Sequence, residues 1–331
     1  MSVQHSWARS PHFPIRFGDS PSPTAALITS LIESPQAAVE AFGTSAKLFP
    51  RPSFADAFAA VQQQDADYAI VPVENSTNGS VVQTLDLLAD PDGAYQDVQV
   101  CGEHYLTVHH CLLARKGVIP AGEKDYSAIT KLYTHPQAWG QCEIFLRKHF
   151  KGVERQDVSS TSKGAEIVAK ETDEPSAAIA SRFAAETHGL EVVEENIEDT
   201  ANNTTRFLVL RNIQSNRTSQ RSFDDIRASQ AASPGPQAKH KTLITFMLRE
   251  DAPGALADAL LVFKQHGLNL TSINSRPSQK VNWKYIFLVE CQGVSSDNDD
   301  AAGRVVADLQ RVAEACRYWG TWTNRLPSVD Q

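Results

Sequence analysis

The sequence predicts an α/β protein with two domains: a two-lobed body over residues 1–212 and a smaller βαββαβ module over residues 240–331. In the body, short apolar runs alternate with segments of helical periodicity, a pattern typical of a sheet covered by helices. Between the two domains, residues 213–239 are rich in Ser, Gln and Arg and contain Pro-Gly-Pro. Such a segment lacks the apolar content to order itself, so we interpret it as a linker.

The body divides further into two lobes. The apolar runs predicted as strands are Tyr68–Val73, Leu106–Leu113, Ala177–Ile179 and Phe207–Leu210, and the predicted helices are Phe54–Gln63, Ala138–His149 and Ser162–Lys170. We expect one lobe from residues 1 to about 105 plus the return segment from about 195 to 212, and the other from about 106 to 194. The cleft between them would hold a small substrate.

The C-terminal module follows the ferredoxin-like plan. Its predicted elements, in order, are strand Leu243–Leu248, helix Gly254–His266, strands Leu268–Asn274 and Tyr285–Glu290, helix Asp300–Ala315 and strand Arg317–Trp322. Asp251-Ala-Pro-Gly stands before the first helix, which would leave its N-terminal amides to a polar or anionic ligand. A plain helix cap is the alternative.

Composition excludes several classes of protein. The 331 residues carry a net charge of -8, which argues against binding to nucleic acid. Five cysteines form no CxxC pair, so we expect neither a zinc site nor a disulfide framework. We find no apolar segment of the length of a membrane span or a signal peptide and expect a cytoplasmic protein that does not bind membranes.

Polar residues stand where two predicted strands meet the cleft. Glu74-Asn75-Ser76 ends one strand, and Asn203-Thr204-Thr205-Arg206-Phe207 opens another. Polar groups at the carboxyl end of a strand mark a ligand cleft, and Arg binds a carboxylate through two parallel hydrogen bonds. The alternative for the second segment is a polar loop before a strand.

Two helix starts add candidate ligands from the second lobe. Thr134-His135-Pro136-Gln137 places Pro in the first turn of a helix, and Ser159-Ser160-Thr161 precedes another helix. His135 could be a cap or a core residue, and Ser160 is first of all an N-cap. A cap and an anion site are compatible, because helix amides and hydroxyls both favour a carboxylate.

These motifs resemble those of the prephenate dehydratase family, enzymes that convert prephenate to phenylpyruvate with loss of water and carbon dioxide. The family's signatures are matched by N-x-T-R-F at residues 203–207 and by T-H-P-Q-x-x-x-Q-C at residues 134–142, where the family has Ser in place of Thr134. The resemblance implies a two-lobed, periplasmic-binding-protein-like (type II) dehydratase domain followed by a ferredoxin-like ACT domain. It implies a lyase of phenylalanine biosynthesis that needs no cofactor and no metal.

The resemblance also implies roles for individual residues. Thr205 is expected to act on the departing hydroxyl, Glu74 to supply an acid or to orient that group, and Arg206 to clamp a carboxylate. The expected substrate-binding residues are Asn75, Ser76, His135, Gln137, Ser160, Thr161, Asn203 and Phe207.

In the C-terminal module, three further motifs resemble those with which the ACT domains of this family bind phenylalanine between subunits. The expected effector-binding residues are Gly254, Ala255, Leu256, Asn269, Leu270, Asn274, Ser275, Arg276 and Pro277. Asn274 stands where Glu is usual, which removes a carboxylate from the expected effector site. The resemblance implies a homodimer or homotetramer whose partners are prephenate and the allosteric effector phenylalanine.

The sequence departs from the family near its N-terminus. The family has a strand and a glycine-rich turn before a Q-A-A segment, which here is Gln36-Ala37-Ala38. We interpret Ile28–Glu33 as replacing that turn and residues 15–18 as a remnant of the first strand. Such a change would alter one wall of the pocket and reduce or abolish activity. This departure keeps a non-catalytic sensor of amino acids or carboxylates open as an alternative. Arogenate dehydratase also stays open, because the motifs do not separate the two substrates.

Overall fold

The computed structural model describes residues 25–29, 34–119, 124–219, 223–227, 239–249, 252–293 and 299–326. The strands are β1 (Ala25–Thr29), β2 (Lys47–Arg51), β3 (Tyr68–Asn75), β4 (Gly79–Ser80), β5 (Val98–Thr107), β6 (Cys111–Ala114), β7 (Lys131–Thr134), β8 (Glu154–Asp157), β9 (Ser176–Ala180), β10 (Glu191–Glu194), β11 (Thr204–Asn212), β12 (His240–Leu248), β13 (Asn269–Pro277), β14 (Tyr285–Gln292) and β15 (Ala313–Thr323). The helices are α1 (Ser34–Phe42), α2 (Phe54–Gln62), α3 (Val82–Ala89), α4 (Pro136–Gln141), α5 (Glu143–His149), α6 (Thr161–Lys170), α7 (Arg182–His188), α8 (Phe223–Arg227), α9 (Ala255–Gln265) and α10 (Asp299–Val312).

The first sheet, with order β2-β1-β3-β11-β5 and β4 paired to β3, is the frame of one lobe. Its central strands are apolar on both faces because helices cover both: Tyr68 and Ile70 of β3 pack with α1, and Ala69 and Val71 pack on the side of α2 and α3. The strand β11 runs antiparallel between β3 and β5 and returns the chain from the second lobe. Residues far apart in sequence therefore meet at one edge of this sheet.

The second sheet, with order β10-β6-β9-β7-β8, is the frame of the other lobe. Its strand β7 is parallel to β8 and β9, whereas β6 is antiparallel to both of its neighbours. Leu132 and Ile179 belong to the core under α5, and Ala165 and Val168 of α6 belong to the core on the opposite face. This sheet presents the starts of α4 and α6 to the first lobe.

The third sheet is antiparallel, with order β13-β14-β12-β15 and α9 and α10 on one face. The βαββαβ order confirms the ferredoxin-like prediction. The other face packs directly against the first lobe, where Trp319 meets Phe58 edge to face at 6.5 Å and belongs to the same core. Gly320 lies so close to β5 that an added Cβ would be 2.1 Å from the carbonyl oxygen of Val100. The C-terminal domain thus packs against the first lobe through β15.

Two element predictions need correction. The apolar run Leu106–Leu113 is not one strand, because β5 ends at Thr107 and β6 begins at Cys111 in the other sheet. The chain crosses between lobes at this point, which an unbroken apolar pattern does not reveal. The predicted helix Ala138–His149 lies within two helices separated at Cys142, where Asp199 accepts a hydrogen bond from the backbone of Ile144 at the start of α5.

Part of residues 213–239, the segment predicted as a linker, is ordered. Phe223, on α8, is buried, and an added Cβ on Gly102 would lie 2.3 Å from its ring. The Thr218 side chain donates to the carbonyl oxygen of Asn212 at 3.1 Å. One aromatic residue and a few backbone hydrogen bonds thus order segments whose mean composition predicts no order; residues 220–222 and 228–238 lie outside the described residues.

The N-terminal interpretation also changes. Ile28 and Thr29 do not belong to a replaced turn, because they end β1, which pairs in parallel with β2 and β3. Residues 30–33, between β1 and α1, and residues 15–18 lie outside the described residues. No helix in the described part of the chain has the length and apolarity to cross a membrane.

Candidate active site

A cavity of about 450 Å³ opens between the two lobes. The first lobe contributes residues from the ends of β3, β4 and β11 and the start of α3, and the second lobe contributes residues from α4 and α6. The lining residues are Phe54, Pro72, Asn75, Asn78, Gly79, Ser80, Val81, Val82, Gln83, His110, His135, Gln137, Ala138, Gln141, Thr161, Asn203, Thr205 and Phe207. None of these described lining residues is Lys, Arg, Asp or Glu, so the cavity is polar without a formal charge.

Thr205 and Asn75 stand opposite each other on β11 and β3 and form the polar centre of the first-lobe wall. The Asn75 amide nitrogen donates to Thr205 Oγ1 at 3.0 Å and to Asn203 Oδ1 at 2.7 Å. The Asn75 amide oxygen accepts from the backbone N–H groups of Thr77 and Asn78 at 3.0 and 2.9 Å. Because those two donors can meet only the oxygen, the orientation of the Asn75 amide is fixed.

Helix starts line the cavity from both lobes. Val82 and Gln83 begin α3, whose N-cap residue Val81 provides no side-chain cap, and Thr161 begins α6. Ser160 does not line the cavity; its hydroxyl caps α6 by accepting from Lys163 N at 3.0 Å, as its alternative assignment predicts. Helix N-termini carry partial positive charge, so these helices favour an anion in a cavity that has no cationic side chain among its described lining residues.

Two histidines line the cavity from different directions. His135 is the N-cap of α4, where its Nδ1 accepts from Gln137 N at 3.3 Å, and burial lowers its pKa. His110 lies at the crossing between lobes, and its Nε2 is 2.7 Å from Gln141 Oε1. Among the described residues no cluster of three or more His, Cys, Asp or Glu could hold a metal ion.

Arg206 does not line the cavity, so the structure does not support its expected role as a carboxylate clamp. Adjacent residues of a strand point to opposite faces, and Thr205 takes the cavity face. The guanidinium of Arg206 is buried against Glu103, with Nη2 2.8 Å from Oε2, and pairs with Glu290 of β14. Burial alone would lower its pKa, but the charges of Glu290 and Glu103 outweigh burial and raise that pKa. The Arg206 guanidinium is therefore already paired with two carboxylates of the protein.

Glu74 and Ser76 also lie outside the cavity lining. Glu74 is on the same face as Arg206, 3.8 Å from its guanidinium, with a half-exposed side chain, so the structure does not support its role as the acid. The Ser76 hydroxyl accepts from the backbone of Thr204 at 2.9 Å and thereby fastens the turn after β3 to the start of β11.

Of the residues expected at the substrate site, the cavity brings together Asn75, His135, Gln137, Thr161, Asn203, Thr205 and Phe207. Sequence reasoning missed Phe54, Asn78, Gln83, His110 and Gln141. His110 had one available signal: the pair His109-His110 interrupts an apolar run, and an ionisable residue inside such a run needs a polar partner. Gln141 stood in the matched motif but was not assigned to the site.

The expected effector residues fall into two groups. Gly254, with a positive φ of 91°, is the N-cap of α9, and Ala255 and Leu256 are the first helical residues. On β13, which contains Asn269, Leu270, Ser275 and Pro277, alternate residues are half-buried, Asn274 and Arg276 among them. Asn274 accepts from the Ser80 hydroxyl at 3.1 Å, and Arg276 pairs with Asp86 of α3 at 2.5 and 3.2 Å. The same strand therefore touches β4 and α3, two elements that line the cavity.

Comparison with known proteins identifies the family. The sequence model of prephenate dehydratase matches residues 34–215, and that of the ACT domain matches residues 242–301. The chain is 36% identical over 283 residues to the bifunctional chorismate mutase/prephenate dehydratase of Neisseria gonorrhoeae, covering 86% of this chain and 68% of that protein. It is 33% identical over 296 residues to arogenate dehydratase/prephenate dehydratase 2 of Arabidopsis thaliana, covering 87% and 69%. The crystal structure of prephenate dehydratase from Arthrobacter aurescens in complex with L-Phe superposes with a TM-score of 0.73 and 27% identity, covering 91% and 90%. The chain therefore belongs to the prephenate dehydratase family and carries an ACT domain after its dehydratase domain.

Proposed function

We propose that this chain converts prephenate to phenylpyruvate and that phenylalanine bound to its ACT domain regulates the reaction. The observation that carries the proposal is the Thr205 hydroxyl, held by the Asn75 amide in a cavity onto which the starts of α3 and α6 also open. Prephenate brings two carboxylates and a ring hydroxyl, and this cavity offers helix amides for the former and a hydroxyl for the latter. We take residues 1–212 as the dehydratase domain and 240–331 as the ACT domain.

Binding of the substrate carboxylates by helix amides rather than by the Arg206 guanidinium suits a reaction that removes carbon dioxide. The ring carboxylate has to leave as carbon dioxide, so its negative charge disappears along the reaction. A guanidinium clamp on that group would stabilise the ground state more than the transition state and slow the step. Helix amides and the side-chain amide of Gln137 hold the substrate in place with weaker, replaceable hydrogen bonds.

Thr205 assists the departing hydroxyl. As the carbon–carbon bond to the carboxylate breaks, its electron pair moves into the ring, the carbon–oxygen bond breaks, and the hydroxyl oxygen leaves as water with a proton taken from solvent. The Thr205 oxygen accepts a hydrogen bond from Asn75 at 3.0 Å, and a hydroxyl that accepts one hydrogen bond donates a stronger one. Thr205 thus polarises the carbon–oxygen bond by hydrogen bonding, which is what a weakly acidic hydroxyl can supply.

The residues that line the cavity also favour prephenate over its amino analogue arogenate. Arogenate has an ammonium group where prephenate has a ketone. None of the described lining residues is acidic, and helix N-termini oppose a positive charge. Turnover of the two substrates, followed as phenylpyruvate and phenylalanine formation, tests this choice. We expect a higher kcat/KM for prephenate; a higher value for arogenate would assign the alternative activity, and no turnover of either by folded protein would favour a sensor.

Phenylalanine is the proposed effector, bound at the ACT domain of a homodimer or homotetramer in the cytoplasm. Support comes from the contacts of Asn274 and Arg276 with Ser80 and Asp86, which join β13 to elements of the cavity. Titrating phenylalanine into the purified protein should lower the rate and raise the melting temperature. An unchanged rate, melting temperature and sedimentation coefficient would contradict this regulation.

A further inference from the structure

His110 is a buried residue of the cavity that takes no part in the proposed reaction steps. It follows the end of β5, where the chain crosses between the lobes, and is 3% exposed. Its backbone N–H donates to Glu198 Oε2 at 2.9 Å, and its carbonyl oxygen accepts from Ile197 N at 2.9 Å. These hydrogen bonds join the two segments that cross between the lobes, so the backbone that carries the His110 imidazole is fixed in position.

The partner of the His110 ring is fixed by the same segment. Asp199, one residue after Glu198, donates its backbone N–H to the carbonyl oxygen of Gln141 at 2.6 Å. The side chains then meet directly, with His110 Nε2 2.7 Å from Gln141 Oε1. Both side chains line the cavity. The orientation that the imidazole imposes on the Gln141 amide therefore decides which amide atoms a bound ligand can contact.

The protonation of His110 decides which atoms Gln141 offers to a ligand. Burial lowers the pKa of His110, so the ring is neutral at neutral pH and carries one proton. With that proton on Nε2, the ring donates to Gln141 Oε1 and leaves the two N–H groups of the amide for the ligand. With the proton on Nδ1, the amide would have to turn round and present its oxygen.

We propose that His110 is a positioning residue, whose Nε2–H holds the Gln141 carboxamide with its N–H groups toward an oxygen anion or hydroxyl of the substrate. This inference rests on the proposed function, because an amide oxygen in that place would repel a dicarboxylate. Gln141, the last residue of α4, then acts as a donor, and His110 sets its direction without touching the substrate.

A double-mutant cycle on kcat/KM for prephenate tests the inference. His110→Phe removes the donor with little change of size, His110→Gln keeps a donor at similar reach, and Gln141→Met removes the amide. We expect His110→Phe to lower kcat/KM about ten- to a hundredfold and His110→Gln to recover part of the loss. In the Gln141→Met background, His110→Phe should cost less than about twofold. Equal factors in both backgrounds would overturn the proposal, as would an unchanged kcat/KM for His110→Phe.

The tautomer of His110 in the wild-type protein gives a second readout that needs no turnover. Long-range ¹H–¹⁵N correlation spectra of the ligand-free protein should show a neutral ring with the proton on Nε2. A proton on Nδ1, or a charged ring at neutral pH, would overturn the proposal. Wild-type protein that shows the expected tautomer but does not turn over prephenate would instead contradict the proposed function.

Discussion

Arg206, the residue after Thr205 on β11, forms an ion pair with Glu290 on β14 of the ACT domain. Its neighbours Glu103 and Lys241 complete a buried group of two acids and two bases, with Lys241 Nζ 3.2 Å from Glu103 Oε2. Because strand residues alternate, the strand that presents Thr205 to the cavity is held on its other face by the regulatory domain. Through Glu290, the ACT domain thus forms an ion pair with Arg206, the residue next to the proposed catalytic Thr205.

Breaking this ion pair should destabilise the protein. Glu290→Gln leaves Arg206 buried with one carboxylate fewer, and removing one partner of a buried pair costs about 3 kcal/mol of the free energy of unfolding. Urea unfolding at pH 7 measures that loss. Glu314→Gln, which removes a partly exposed pair with Lys284, is the matched control and should cost less than about 1 kcal/mol. Equal unfolding midpoints for the two variants would contradict the structural role of Glu290.

The contribution of Glu290 should also depend on pH. Burial alone would raise its pKa, but the charges of Arg206 and Lys241 outweigh burial and hold that pKa below its ordinary value of 4.5. The unfolded chain therefore binds this proton more readily, so the stabilisation is present above pH 4.5 and is lost as the pH falls through the folded pKa. The difference in unfolding midpoint between wild type and Glu290→Gln should narrow as the pH falls below 4.5. A difference in unfolding midpoint that widened as the pH fell would contradict a lowered pKa of Glu290 in the folded protein.

Regulation should depend on the contact between β13 and α3. Asp86→Asn weakens the two-bond pair with Arg276 that joins the ACT domain to a helix of the cavity. We expect the inhibition by phenylalanine to weaken by about five- to thirtyfold, as a coupling of about 1–2 kcal/mol is lost, while kcat without phenylalanine stays within about twofold. Asp92→Asn is the control, since Asp92 is exposed and 3.9 Å from Lys280. Unaltered inhibition in Asp86→Asn would show that this contact does not carry the signal.

Asn75→Asp should lower activity through Thr205. The substitution replaces the donor to Thr205 Oγ1 with a carboxylate and adds a negative charge beside the substrate. Loss of one donor in such a site lowers kcat by about 10²- to 10³-fold. Steady-state kinetics with prephenate measure the effect. Asn202→Asp, on the exposed turn before β11, adds the same charge away from the cavity and should remain within about threefold. A similar loss in both variants would point to net charge rather than to the Asn75 hydrogen bonds.

Much of the site could be predicted from the sequence because its residues cluster at element ends. Asn75 ends a buried strand, and Thr161 and His135 stand at helix starts, where polar residues have recognisable patterns. Arg206 does not line the cavity with Thr205 because adjacent residues of a strand point to opposite faces. Which of the two residues faces the cavity depends on the register of β11 against β3.

Other features depend on tertiary contacts that no local pattern contains. His110 meets Gln141 only because two crossing segments are joined through Glu198. Phe223 orders α8 because Gly102 of β5 leaves room for its ring. Composition described the mean character of these segments, whereas one long-range contact decided their structure.

The most direct measurement is phenylpyruvate formation from prephenate by wild type, Thr205→Ala and Thr204→Ala. Thr204 neighbours Thr205 on β11 but does not line the cavity, so Thr204→Ala is a matched control for the loss of a threonine side chain. We expect turnover by wild type, a rate within about threefold of the wild-type rate for Thr204→Ala, and a loss of about a thousandfold for Thr205→Ala, with the free energy of unfolding unchanged within about 1 kcal/mol. Turnover by folded Thr205→Ala at the wild-type rate would contradict the assignment of the chemistry to this hydroxyl.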